Sequence, residues 1–275
     1  PLSSYFHLHF HFHFLFPMIP FYKYQGAGND FILFNHLEGE LLEDTSQEYI
    51  AHLCDRRFGI GADGLMLLEP HAEYDFYMRY YNSDGRLSSM CGNGGRCIAA
   101  FAQQLGYVDK GAHFLAVDGP HRAKLTRPNW VELEMLDVAS VEEVLDGYFL
   151  DTGSPHFVRW QEAIDATDVD KEGREWRLHA HFAPGGTNVN FVCGDVSQLA
   201  IATFERGVEA ETLACGTGVT AAAIVAVVRS GKTGDFVIPV RAKGGALEVK
   251  MHFDGTHFSQ IWLCGPAEFV FEGQI

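Results

Sequence analysis

Apolar residues recur along this chain in two rhythms, and the same succession of rhythms occurs twice. Ile98, Phe101, Ala102 and Leu105 fall at i, i+3, i+4 and i+7, which is one face of a helix, and Gly106 suits its C-terminal cap. Val219 to Val228 is apolar nearly all round, which describes a helix buried on every side and ended by Arg229 and Gly231. Short apolar runs read as strands: Phe31 to Phe34, Leu65 to Leu68 and Phe76 to Tyr81 before the first helix, and Phe157 to Trp160, Val189 to Val192 and Ala200 to Phe204 before the second. The expected class is α+β, in two similar halves that each wrap strands around a central helix. Each of these helices begins just after a cysteine.

The repetition extends to individual residues. Met90-Cys91-Gly92-Asn93-Gly94 answers Ala214-Cys215-Gly216-Thr217-Gly218 at an offset of 215 − 91 = 124. The same offset aligns Gly61 with Gly185, and Asn82 with Arg206, while 154 − 29 = 125 aligns Asn29 with Ser154. Two copies at this spacing are domain-sized rather than solenoid repeats. The expected domains are Met18 to Leu136 and Asp137 to Leu263, with Cys264 to Ile275 returning as a strand to the first. Pro1 to Pro17, in which His7, His9, His11 and His13 alternate with Leu8, Phe10 and Phe12, is of low complexity and reads as a leader outside the fold.

Charge and cysteine usage narrow the function classes. The 275 residues carry 20 basic and 36 acidic side chains, a formal net charge of −16, which disfavours a nucleic-acid partner. No apolar run reaches the roughly 20 residues of a membrane-spanning helix. Six cysteines without a Cys-x-x-Cys pair fit a reducing, cytoplasmic compartment better than a disulfide scaffold. Cys54, Cys97, Cys193 and Cys264 read as small buried hydrophobes. No oligomeric state is specified, and a homodimer stands open beside a monomer.

A cysteine at a helix start has specific chemistry. Unpaired N–H groups and the positive end of the dipole there are expected to lower a thiol pKa. The glycines that follow allow an anion to approach several N–H groups without any lysine or arginine. Two such sites in pseudo-symmetric halves predict one cleft with a thiol on each face of a substrate carbon. One sulfur removes a proton, the other supplies one, and the carbon inverts. No metal or organic cofactor is obligatory for that reaction.

The residues carrying these features resemble diaminopimelate epimerase. The matching stretches are GAGNDF (Gly26 to Phe31), GIGADG (Gly59 to Gly64), NSDG with MCGNGGRC (Asn82 to Cys97), GSPH (Gly153 to His156), TNVNF (Thr187 to Phe191) and ERGVEAETLACGTG (Glu205 to Gly218). The resemblance implies two domains, each a curved mixed sheet around a central helix. It also implies cofactor-independent interconversion of LL- and meso-2,6-diaminopimelate, in the biosynthesis of lysine and peptidoglycan precursors. Cys91 and Cys215 would be the acid/base pair, and Gly92-Asn93 and Gly216-Thr217 would hold the reacting carboxylate. Glu205 would meet the substrate ammonium and, with His156, tune the thiols. Asn29, Asn82, Asn188 and Arg206 would contact the amino and carboxyl groups. Two positions depart from the common pattern: Ser154 stands where many members have Asn, leaving a weaker contact, and Gly64 where many have Gln, leaving none.

Other readings compete. Proline and hydroxyproline racemases resemble this fold and use paired cysteines, but a histidine commonly follows their first Cys-Gly, where this chain has Asn93. A non-catalytic binding protein on the same fold would be expected to have lost one cysteine. Gly59-x-Gly61-x-x-Gly64 precedes a strand rather than linking strand to helix, which argues against a dinucleotide site. Ala226 to Thr233 resembles a phosphate loop but ends a helix. His179 and His181 read as surface alternation on a strand face. Glu205 and Arg206 would, without the family resemblance, be an exposed ion pair.

Overall fold

The computed structural model describes residues 18–275, so the leader and its four histidines lie outside the described residues. The first half runs β1 (Pro20–Gly26), β2 (Asn29–Asn35), α1 (Gln47–Cys54), β3 (Gly64–Glu69), β4 (Tyr77–Asn82), β5 (Leu87–Ser88), α2 (Gly92–Gln104), β6 (Gly111–Ala116), β7 (Gly119–Arg127) and β8 (Trp130–Glu134). The second runs β9 (Glu142–Val144), β10 (Gly147–Asp151), β11 (Pro155–Trp160), α3 (Val169–Arg177), β12 (Asn188–Asp195), β13 (Gln198–Glu205), β14 (Ala210–Thr212), α4 (Gly216–Ser230), β15 (Gly234–Ala242), β16 (Gly245–Phe253) and β17 (Phe258–Pro266), before β18 (Glu268–Gln274).

Strand pairing repeats between the halves. The first is ordered β1-β2-β3-β4-β6-β7-β8 and the second β10-β11-β12-β13-β15-β16-β17. Parallel pairs need a crossover. Both parallel pairs of each half have a helix between their strands: α1 for β2/β3, α2 for β4/β6, α3 for β11/β12 and α4 for β13/β15. The halves join where β8 pairs antiparallel with β17, Leu133 opposite Leu263. β18 then pairs with β1.

Each central helix sits in its own core. Ile98, Phe101 and Ala102 of α2 pack among Phe31, Met66, Phe76, Phe114 and Leu133, all fully buried. Val219 and Ala221 to Val227 of α4 pack among Val158, Val192, Ile238, Val249 and Ile261. Each fully buried Leu, Ile, Val or Phe side chain contributes about 1.5–3 kcal/mol. α4 ends on Gly231 at φ 64, the left-handed conformation that glycine adopts without strain, and Gly106 after α2 has φ 81.

Some expectations need correction. His179 and His181 lie on no strand; His179 caps a 3-10 turn over Ala180–Phe182. Cys193, near the end of β12, is half-buried, whereas Cys54, Cys97 and Cys264 are buried. Strand ladders also shift one alignment. Leu65 pairs with Tyr81 and its equivalent Val189 with Phe204, an offset of 204 − 81 = 123. The ladder therefore matches Asn82 to Glu205 rather than to Arg206.

Candidate active site

The two cysteines are the N-cap residues of α2 and α4, both in extended backbone and neither using its side chain as a cap. The helix starts meet head to head. A Cβ built on Gly92 would stand 3.7 Å from the Gly216 Cα, and one on Gly216 would stand 2.8 Å from Leu263 Cδ2, the side chain beneath both. Larger residues would separate the helices, so the glycines bring two sets of unpaired N–H groups to one place. Asn93 ties the halves together, its Nδ2 donating to Ala214 O at 3.0 Å and to Asn29 Oδ1 at 3.3 Å.

The expected lowering of the thiol pKa values is not what this environment produces. Burial raises Cys91, and the Glu205 carboxylate adds to the rise, against the Gly94 and Asn93 amides. Burial, then Glu205, pushes Cys215 up to about 12, with Cys91 a further raising neighbour. Burial also raises Glu205 itself. Helix-start amides favour a thiolate, but two sulfurs and a carboxylate sharing one desolvated site cost more than those amides return.

The two sulfurs have different neighbours. Cys91 donates to Asn29 Oδ1 at 3.6 Å, and Asn29 Nδ2 donates to Asp63 Oδ2 at 2.6 Å. Arg56 bridges Asp63 and Asp30, and Lys23 also pairs with Asp30. Burial alone would raise Asp30, but Arg56 and Lys23 outweigh it and hold the carboxyl at about 2. Cys215 Sγ lies 3.4 Å from the Thr217 hydroxyl, which lies 2.9 Å from His156 Nε2. Asn190 Nδ2 donates to His156 Nδ1 at 3.0 Å. His156 thus reaches the sulfur only through Thr217. Burial, with Arg206 adding, holds its pKa down to about 3.

The remaining expected residues surround this pair unequally. Asn188 is buried, with Nδ2 donating to Ser154 Oγ and Pro155 O at 2.9 Å each, and its Oδ1 accepting from the Arg206 amide at 2.9 Å. Ser154 and Asn188 therefore hold one another across β11 and β12. Asn82 and the Arg206 side chain are exposed, and Glu205 is partly so. Glu205 and Arg206 form no ion pair with each other among the described residues. A Cβ on Gly64 would stand 2.5 Å from Tyr80 Cε2 and 2.6 Å from Tyr81 O, so this chain fills with tyrosine the space a side chain would need.

Several participants went unread in the sequence. Asp63 and Arg56 orient Asn29 from behind, and Arg96 is a fully buried cation bonded to Asn93 Oδ1 at 2.8 Å. Asn190 sits two residues beyond Asn188, on the same strand face, and that spacing was the available signal.

The family model described as diaminopimelate epimerase matches residues 21–135 and 148–270. A diaminopimelate epimerase of Flavobacterium psychrophilum is 47% identical over 256 residues, covering 92% of this chain and 99% of the relative. One of Chlorobaculum tepidum is 42% identical over 258 residues, covering 91% and 98%. Among solved structures, a phenazine biosynthesis protein of the PhzF family from Bacillus anthracis superposes with a TM-score of 0.71 at 13% identity, covering 94% of this chain and 99% of that one. A probable proline racemase from Agrobacterium radiobacter superposes with a TM-score of 0.68 at 15% identity, covering 94% and 92%. At those identities the structures speak to the fold alone, whereas the sequence relatives speak to ancestry: this chain belongs to the diaminopimelate epimerase family.

Proposed function

We infer that this protein interconverts LL- and meso-2,6-diaminopimelate by moving the α-proton between Cys91 and Cys215. The observation that carries this reading is the abutment of two cysteine-capped helix starts in one site. In it the substrate α-carboxylate lies against the amides of Gly92-Asn93 and Gly216-Thr217, which strengthen their hold as the carboxylate gains enolate-like charge. One sulfur accepts the proton as the other delivers its own to the opposite face. Glu205 faces the ammonium group, and Arg206, Asn29 and Asn82 recognise the polar ends of the substrate. Ser154 and Asn188 shape the wall that Arg206 leaves, and His156 acts on Cys215 through Thr217. The raised pKa of both thiols demands help from the substrate: its ammonium offsets the Glu205 charge, and closure around it excludes water.

The domains are read as 18–136 with β18, and 137–266, with the site between them, because the expected boundary after Leu263 falls inside β17. All six cysteines are free thiols, which fits a cytoplasmic compartment. A homodimer is supported by β18, which carries exposed Phe269, Val270 and Phe271 and pairs only with β1 among the described residues. Val270→Lys is expected to shift the sedimentation coefficient toward that of a monomer, and an unchanged coefficient would remove this edge as the interface.

The activity is tested in deuterated water. Incubation with LL-diaminopimelate and no added cofactor is expected to place deuterium at one α-position and to yield the meso isomer. Intact, folded protein that incorporates none would overturn the reading.

A further inference from the structure

Hydrogen-bond polarity distinguishes the two sulfurs. Asn190 Nδ2 faces the Phe157 carbonyl at 3.3 Å while its Oδ1 accepts from Thr203 Oγ1 at 3.0 Å, so the carboxamide has one orientation. An amide nitrogen only donates, so His156 Nδ1 must accept, and the imidazole proton resides on Nε2. Nε2–H then donates to Thr217 Oγ1, and the threonine hydroxyl proton is free to point at Cys215 Sγ when that sulfur is a thiolate. The helix-start amides do not distinguish the sulfurs in this way, since Gly218 lowers the Cys215 pKa while Gly94 and Asn93 lower that of Cys91. Every hydrogen in the side-chain relay is directed toward Cys215. In the first half the polarity is reversed. Asp63 is an acceptor that takes the Asn29 Nδ2 protons, so Asn29 presents its carbonyl oxygen to Cys91 Sγ. A carbonyl oxygen suits a thiol and opposes a thiolate.

The first half has no equivalent relay. His156 corresponds to Phe31 (156 − 125 = 31), Asn190 to Met66 (190 − 124 = 66) and Thr217 to Asn93 (217 − 124 = 93). Ladder register supports these matches, since Phe31 pairs with Gly64 as His156 pairs with Asn188. A Cβ on Gly94 would meet Met66 Sδ, and one on Gly218 would meet Asn190 Oδ1.

We propose that the Asn190–His156–Thr217 relay makes Cys215 the sulfur that ionises first, with the Thr217 hydroxyl as a positioning group for its thiolate, while Asn29 keeps Cys91 as the thiol. Other charged or titratable groups around the pair are Glu205 on β13, Arg206 just after it, Arg96 on α2 and Tyr80 on β4. Glu205 raises both thiols and Arg96 lowers Cys91, so the order rests on the Thr217 hydroxyl and the Asn29 carbonyl outweighing them. In the first half-turn Cys215 takes the substrate proton and Cys91 gives its own, which leaves the ionisation exchanged between them. This sequence rests on the proton-transfer reading above, but ionisation of the free enzyme is measured without substrate, so the two fail separately.

The test is a pH titration of protein labelled with 13C at cysteine Cβ, followed by NMR, which reports thiolate directly. Signals are assigned with Cys91→Ser and Cys215→Ser. In the unsubstituted protein, the Cys215 resonance is expected to titrate at lower pH than Cys91. Thr217→Val should raise the Cys215 midpoint by about one pH unit with Cys91 moving less, and Thr217→Ser should restore it. Cys91 titrating first, a Cys215 midpoint unmoved in folded Thr217→Val, or neither sulfur ionising before the protein unfolds in alkali would overturn the proposal. The wild-type titration alone decides the order if that variant fails to fold.

Discussion

Phe31, Met66 and Asn93 in one half stand where His156, Asn190 and Thr217 stand in the other. The scaffold is the same: matching strand order, matching crossover helices, a cysteine at each central helix start. What fills it differs. One half packs an aromatic ring and a thioether behind its helix, and the other packs a chain of hydrogen-bonding groups. Duplicated backbones thus place two sulfurs equivalently, while the side chains behind them determine how each sulfur behaves.

The largest effect that tests this comparison is loss of either sulfur. Cys91→Ser and Cys215→Ser should each lower net epimerisation on the order of a thousandfold, measured by conversion of LL substrate. Full activity in either would end the claim that both halves act on the proton.

A matched pair of glycine substitutions comes next. In Gly218→Ala the new Cβ would stand 2.4 Å from Asn190 Oδ1, which Thr203 holds in place. In Gly94→Ala it would stand 3.3 Å from Met66 Sδ, on a flexible side chain. Denaturant unfolding should show Gly218→Ala destabilised by about 1–3 kcal/mol and Gly94→Ala nearly unchanged. Equal losses would mean that the polar chain is no stiffer than its apolar counterpart.

The smallest effect is the acid dependence of stability. His156 is held at about 3 in the folded state, below its ordinary 6.5. Between those values the unfolded chain binds a proton that the folded protein refuses. The contribution is therefore intact above about pH 6.5 and is lost as pH falls toward 3. Phe31 adds no such slope in the first half. His156→Gln should flatten the fall of the urea midpoint between pH 6.5 and 4, and an undiminished slope would assign it to other groups.

Much of this architecture was legible beforehand because it repeats. The apolar face of α2 follows from periodicity, and α4 and the strands Phe31 to Phe34 and Val189 to Val192 follow from predominantly apolar runs. The hairpin of β15 and β16 was not read, although Leu247, Val249 and Met251 alternate with exposed or half-exposed residues. α3 offers little to a hydrophobic pattern, since only Val169 and Gly173 of its nine residues are buried; its clearer mark is Asp168, which caps it by accepting from the Lys171 amide. In the site, the cysteines and glycines were visible as motifs. The rise of both thiol pKa values was not, because it comes from burial and from Glu205, which only the folded chain brings near. Nor does spacing reveal that Thr217 stands between His156 and Cys215.

The seam at Leu133 and Leu263 has its own consequence. β8 and β17 hold the same place in their two halves and pair with each other, so the contact is self-complementary, as in a two-fold assembly of identical units. An assembly of that kind built from one half alone would hold two indistinguishable sulfurs. Joining the copies in a single polypeptide removes that constraint, and a substitution near one sulfur is no longer imposed on its twin.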